Sequence, residues 1–326
     1  MEMVGGGKMH QYPATDECPH TPGPQKSWQE SFVLLWWDAK NAVGGYCRMG
    51  HEPNHDGGEA NIWLAVHVPG ESYFRNATLP LAPGDRTANS QGADNGAMVY
   101  RYDGQCTWTV KEPDLELTLR LDDFHPAIDG YLKDGETKLG AISSNHVEVA
   151  SRIVGKLVTK GKTYEIDGLS MRDHGWGPRD WSAVWAHRWN VGVFDRDNSF
   201  CAVTMHLSSD VIARFGWVVR GDKVIYADKI DITAYMANDG ASNVGGKTLM
   251  TLSTGERFEV HSEPVAPAAL YYHHSISCVD TLSRLRWGGR VGYGVFETST
   301  NPQAGSRRPE VLDGGLGVNG WHRTAF

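Results

Sequence analysis

The chain has 326 residues, a formal charge of −8 and no lysine or arginine run, so it lacks the clustered basic surface that nucleic acid requires. No run of about 18 apolar residues suggests a membrane span, and the first residues lack the apolar segment of a secretion signal. These features predict a cytoplasmic protein whose partners include neither nucleic acid nor an inserted membrane. Apolar residues make up 40% of the chain, enough for a substantial core. Five scattered cysteines (Cys18, Cys47, Cys106, Cys201, Cys278) suit neither a disulfide framework nor a zinc site. Twelve tryptophans are a heavy load, and indoles collect where an apolar face must meet a polar edge, as in ligand pockets.

In chain order, residues 1–27 are rich in Gly, Pro and polar residues and read as an arm on the surface or partly disordered. Glu30–Asp38 is apolar on both parities, which predicts a strand buried on both faces. A hairpin through Gly44-Gly45 returns at Tyr46–Met49. His51–Gly58 reads as a loop, and Asn61–Val68 as the next strand. Short alternating runs separated by turn residues continue to about residue 165. Leu115–Leu121, with its unbroken Leu-x-Leu alternation, is the clearest half-buried strand. The same style resumes from Val184 to Glu297, and no window holds a helical period. The class is all-β. Many short strands without helices imply closed barrels or sandwiches, and such barrels can enclose one small apolar ligand.

Between these two series lies Arg172-Asp173-His174-Gly175-Trp176-Gly177-Pro178-Arg179-Asp180-Trp181, which crowds ionisable groups and indoles together. Its glycines and proline predict a tight loop at a junction. A weak internal echo also divides the chain. Trp37-Asp38, His51 and Trp63 are matched by Phe194-Asp195, His206 and Trp217 at similar spacing.

The central motif, together with Trp36-Trp37-Asp38, Gly44-Gly45-Tyr46, Gly50-His51 and Asn61-Ile62-Trp63-Leu64, resembles a tandem-lipocalin superfamily. That superfamily contains the carotenoid hydratases (hydroxyneurosporene-synthase-like), the AttH-like proteins and fungal pericyclase relatives. The resemblance spans roughly residues 28–300 and implies two lipocalin-like antiparallel β-barrel halves packed together around a ligand cavity. The expected division is an arm over 1–27, an N-terminal half over 28–168 and a C-terminal half over 169–326. It also implies hydration, dehydration, isomerisation or cyclisation of a hydrophobic terpenoid, steroid-like or aromatic molecule, with no metal or nucleotide cofactor. The alternative is a lipocalin-like carrier that performs no chemistry. A homo-oligomer is compatible with either.

Such chemistry needs an acid, a base and stabilisation of developing charge. A carboxylic acid in an apolar pocket keeps its proton towards neutral pH. Asp173 is the candidate acid, and His174, with an ordinary pKa close to neutral, its partner. Structural alternatives are an Asp173 ion pair with Arg172 or Arg179 and a core histidine at 174. Candidates for the substrate lining are Trp36, Tyr46, His51, Asn61, Trp63, Trp176, Trp185, His187, Trp189 and Tyr272. Their aromatic faces could support a cation, and Asn61 could bind a substrate oxygen. The His51–Asp56 stretch holds metal-capable groups without an evident third or fourth ligand, so no metal is expected. Of the adjacent His273 and His274, alternation would let only one enter a cavity. No nucleophile elbow, phosphate loop, dinucleotide fingerprint or HExxH is present.

Overall fold

The structure is a computed structural model, and it describes residues 1–4, 12–129, 132–133, 136–137, 145–238, 242–301, 303 and 319–324. The arm expected over 1–27 therefore lies partly outside the described residues. A short strand β1 (Glu2–Val4) precedes a 3-10 turn at Ala14–Glu17. Eight strands follow: β2 (Trp28–Asp38), β3 (Val43–Glu52), β4 (Glu59–Val68), β5 (Glu71–Pro80), β6 (Ser90–Ala93), β7 (Met98–Tyr102), β8 (Cys106–Glu112) and β9 (Leu115–Asp123). The short β10 (Ile128–Asp129), β11 (Leu132–Lys133) and β12 (Glu136–Thr137) lead to the long pair β13 (Asn145–Thr159) and β14 (Lys162–Pro178). After a second 3-10 turn, Trp181–Ala183, come β15 (Ala186–Asp195), β16 (Asn198–His206), β17 (Ile212–Arg220) and β18 (Lys223–Met236). The remainder comprises β19 (Asn243–Leu252), β20 (Arg257–Pro264), β21 (Ala269–His273), β22 (Ile276–Trp287), β23 (Arg290–Thr300) and β24 (Gly320–Arg323). No described helix is long and apolar enough to cross a membrane.

The protein is all-β, as its alternation predicts, but its two halves differ. In the second half the order β18-β17-β16-β15-β23-β22-β20-β19 closes on itself through a β18–β19 ladder, giving an eight-stranded antiparallel barrel. The first half is a curled, open sheet in the order β24-β5-β4-β3-β2-β14-β13-β9-β8-β7-β6. Its edge strands β6 and β24 have only four residues each. Edges so short are a common way to leave a sheet open without inviting aggregation.

Strand β2 is buried along its whole length. Phe32, Leu34 and Trp36 join the core inside the curled sheet. Val33, Leu35 and Trp37 join a second core, which also takes Trp189, Val191, Trp217 and Val295 from the barrel. The barrel keeps a third core of its own around Phe200, Phe258 and Met250. The two-faced burial predicted for β2 thus reflects a sheet with one core inside its curl and another against the barrel.

The Arg172–Trp181 motif is mostly strand, not loop. Residues 172–178 form the last seven positions of β14, paired with β2 on one side and, to Trp176, with β13 on the other. The glycines and proline are tolerated for local reasons. A side chain at Gly175 would meet Arg179 Nη2 at 2.6 Å. Gly177, at φ +110°, and Pro178 stand at the strand's end, where the ladder stops. The internal echo also has a structural basis. Asp38 and Asp195 close equivalent hairpins, Asp38 accepting from the Lys40 amide at 2.9 Å and Asp195 from the Asp197 amide at 2.9 Å.

Barrel closure brings β15 and β23 so close that Gly192 and Gly294 face each other. A Cβ on Gly294 would lie 1.8 Å from the Val191 carbonyl oxygen. Gly294→Ala should therefore cost about 1–3 kcal/mol through overpacking. In urea denaturation the midpoint should fall with an unchanged slope.

Candidate active site

Successive residues of a strand point to opposite faces. On β14 this sends Arg172, His174 and Trp176 towards the N-terminal arm and Asp173 towards the barrel. Arg172 is held by Glu17 at 2.7 and 2.8 Å and by Asp123 at 2.7 Å, so it is not the partner of Asp173. His174 stacks on Phe32 at 4.0 Å, and its Nε2 lies 2.9 Å from Glu30. Trp176 stacks on His20 at 4.1 Å. Glu30, fully buried, also accepts from the His20 amide at 3.1 Å and from Arg86. Burial lowers the His174 pKa and outweighs Glu30, so a neutral imidazole donates to the carboxylate. His174, expected beside Asp173, is instead part of the knot that ties the arm to the sheet.

The histidine beside Asp173 comes from β13. His146 Nε2 is 3.1 Å from Asp173 Oδ2 and 3.2 Å from Glu148 Oε1. Glu148 is the direct cross-strand neighbour of Asp173 and takes a hydrogen bond from the Trp189 indole at 2.9 Å. Two acids opposite each other repel. Burial, reinforced by Glu148, pushes the Asp173 carboxyl up to about 6 against the pull of His146, Arg179 and Arg48. Burial opposes the His146 imidazolium, yet Asp173 and Glu148 prevail and raise its pKa.

Asp173 and His146 line a cavity between the two halves. The sheet adds Ser31, Val33, Tyr46, Arg48 and Trp63, and the barrel adds Trp189, Val203, Met205 and Phe215. His187, Glu297 and Cys278 complete the barrel wall, with His187 hydrogen-bonded to Glu297. Behind Glu297 lies Asp280, which burial and Glu297 hold well above the usual carboxylate range. Glu297 is kept below its ordinary value despite burial, chiefly by His187. The cavity's volume is about 80 Å³, less than the roughly 150 Å³ that accommodates benzene in a protein core. Arg179 and Trp181 line both this cavity and an outer vestibule of about 630 Å³, where Gln29, Glu52, His55 and His274 also stand. A ligand larger than a few atoms must extend past those two side chains.

Of the residues singled out in the sequence, Asp173, Tyr46, Trp63, His187 and Trp189 line the cavity. Trp36 and His51 have the opposite parity and face the curled sheet's interior, where His51 Nε2 meets the Gly92 carbonyl at 2.7 Å. Trp185 precedes β15 and is half-buried outside the lining. Tyr272 packs on Ala268, Leu270 and Val279, while its neighbour Tyr271 takes the inner position, stacked on Trp63 at 5.1 Å. Asn61 accepts from Arg48 Nη1 and donates to Glu52 at 3.2 Å, one layer behind the wall. His274, at φ +50°, breaks the alternation, so that both it and His273 reach Glu52, at 2.7 and 2.8 Å. The three form a donor set a metal could use, assembled from segments too distant in sequence to be read together. Sequence reasoning also missed His146, Arg48 and Glu297. Their signal is a charged residue within an otherwise apolar strand, in register with a neighbour already suspected.

No curated protein sequence matches the chain significantly. Solved structures share its fold. An AttH-like protein from Nitrosomonas europaea is 14% identical, with a TM-score of 0.69 over 90% of this chain and 97% of its own. A kievitone hydratase from Nectria haematococca is 10% identical, with a TM-score of 0.59 over 90% and 96%. CghA is 9% identical, with a TM-score of 0.58 over 87% and 93%. The expected tandem lipocalin-like architecture is thus the architecture found. Residues 13–302 match the profile of a family described as a domain of unknown function, DUF7064, and the chain belongs to that family.

Proposed function

We propose that this protein is a cofactor-independent lyase or isomerase, with hydration or dehydration as its chemistry. Its substrate would be a hydrophobic terpenoid, steroid-like or aromatic molecule. The observation that carries this reading is the buried Asp173–His146 pair at 3.1 Å in the wall of a largely apolar cavity, with the carboxyl poised at about 6. Proton transfer is most effective when the pKa lies near the working pH. In hydration, protonated Asp173 gives its proton to one alkene carbon, and the oxygen of water bonds to the other. A proton leaves that water, and the pair takes it up, restoring Asp173. The product differs from the substrate by one water, and dehydration runs the same steps backwards. The occurrence of a hydratase on the same fold supports this choice.

The rival reading is a carrier. A carrier needs an apolar cavity but no buried ionisable pair, and burying charge costs stability. The structure favours the enzyme for that reason. Native mass spectrometry of the protein with terpenoid, steroid and aromatic alkenes and alcohols, followed by product analysis, separates the two. Ligands that differ by one water or return isomerised establish the enzyme. Binders that always return unchanged establish the carrier.

Asp173→Asn should lower turnover at least about 10²-fold. The same substitution should not destabilise the fold above pH 6. A carboxyl moved from 3.8 to about 6 on folding penalises the folded state once ionised, by roughly 2–3 kcal/mol. Folded stability from the neutral carboxyl is fully present below about 3.8 and is lost as pH rises from there through about 6, so the asparagine's gain builds over that range and is complete above it. A lower melting temperature at pH 7.5 would mark Asp173 as structural.

With Asp173 as the acid, kcat/KM should fall as pH rises through about 6. His146→Gln removes a group that holds the Asp173 pKa down, so the falling limb should move to higher pH. A limb that stays in place would assign it to another group.

A further inference from the structure

We infer that Arg48 anchors a negatively polarised oxygen of the ligand, which makes the ligand an apolar molecule bearing a carboxylate, a phenolate or a conjugated carbonyl. This rests on the cavity described above but not on any reaction occurring there. Arg48 lines the cavity and is only 3% exposed. Among the described residues no carboxylate lies within 4.0 Å of its guanidinium, and Nη2 has no hydrogen-bond partner. A buried charge left in this state is expensive, and protein interiors almost always pair one. Glu52 is reached through Asn61, which accepts from Nη1, and Asp173, Asp280 and Glu297 attract Arg48 through space without forming an ion pair with it.

The surroundings are built around this side chain. It lies over the Trp63 ring, 4.4 Å from the centroid, which fixes the plane of the guanidinium. Gly50, two residues along the same strand face, leaves the room it needs. A Cβ there would meet Asn61 Oδ1 at 2.4 Å and Arg48 Nη1 at 3.0 Å. Two further buried polar atoms nearby, the Trp63 indole nitrogen and the Tyr271 hydroxyl, have no hydrogen-bond partner either. The carboxylates of the cavity wall are already matched, Asp173 to His146 and Glu297 to His187. The charge left to answer at Arg48 is positive.

The sign of that charge bears on the chemistry. A substrate carbocation here would face a guanidinium, and the Trp63 face that could support it already carries one. A conjugated carbonyl would instead place its oxygen on Nη2, and addition of water at the β-carbon, with its departing proton taken by the Asp173–His146 pair, would develop enolate charge there. Proton delivery to the α-carbon would then discharge it.

Three probes of similar shape test the anchor by titration calorimetry: trans-cinnamate, 4-phenyl-3-buten-2-one and trans-β-methylstyrene. Wild-type protein should bind one or both oxygenated probes at least about tenfold more tightly than the hydrocarbon, as expected for a charge-assisted hydrogen bond. A preference for cinnamate identifies a full charge, and a preference for the ketone a polarised carbonyl. Arg48→Met should erase the discrimination without lowering the melting temperature, and Arg48→Lys should keep part of it. Equal affinity for all three in the wild type, absence of saturable binding by both oxygenated probes, or a preference that survives Arg48→Met would overturn the inference. Absence of turnover would count against the enzyme reading alone.

Discussion

The organisation of this protein depends on the two-residue alternation of β14, a strand buried on both faces over its last turns of pleat. One face carries Arg172, His174 and Trp176 into a network with the arm, through Glu17, Glu30 and His20. The other presents Asp173 to the barrel. A strand in this position cannot slip by one residue, because that would drive Arg172 into the apolar interface and Asp173 into the arm's acidic partners. The saturated Glu30 makes the same point energetically. Its carboxylate is surrounded by donors, so the arm-side histidine is spent on structure and unavailable for chemistry. The placement of Asp173 on one face is held by ion pairs on the other.

The cavity inherits its electrostatics from the meeting of two sheets. Glu148 and Asp173 stand opposite each other across β13 and β14, and burial prevents water from screening them. His146, within 3.2 Å of both, relieves the repulsion. The barrel wall meets a similar problem with Asp280, Glu297 and His187, where burial raises the pKa of one carboxyl and the histidine lowers that of the other. Each acid pair has its own imidazole. Arg48 is the exception to this matching, and its role is understood through what it can offer an incoming oxygen.

Much of the fold was legible in the sequence. The β class, the two-faced burial of β2 and the hairpin echo follow from period-two alternation and turn residues, which are local signals. The motif's own conformation was not legible, because Gly175, Gly177 and Pro178 weaken a strand on propensity alone. Here the ladders with β2 and β13 outweigh that propensity. Asp173 could be singled out since the neighbouring residues crowd around it in sequence. His146 could not, since its approach depends on the β13–β14 register across a long hairpin. The choice of Tyr272 over Tyr271, and of Trp36 over Leu35 and Trp37, which face the barrel, shows the same limit. Parity within a strand is readable, but which parity faces the second half is settled only when the halves meet.

That limit also bears on the difference between carriers and enzymes on this architecture. Apolar lining alone arises wherever two sheets pack, so the tryptophan content is compatible with either. A buried acid with a perturbed pKa does not arise from packing, because packing favours its replacement by an apolar residue of similar size. Asp173 with His146, and Arg48 with one nitrogen unanswered, are both costly to the fold and both face the same small cavity. Two independent costs directed at one point are more readily explained by a ligand with a polar end and a reactive centre than by the needs of the core. The cavity of about 80 Å³ adds a geometric condition. It can receive the reacting end of a molecule, while the remainder must occupy the vestibule beyond Arg179 and Trp181. Selectivity for the reacting end would then be set between the two halves, and selectivity for the rest of the molecule at the rim.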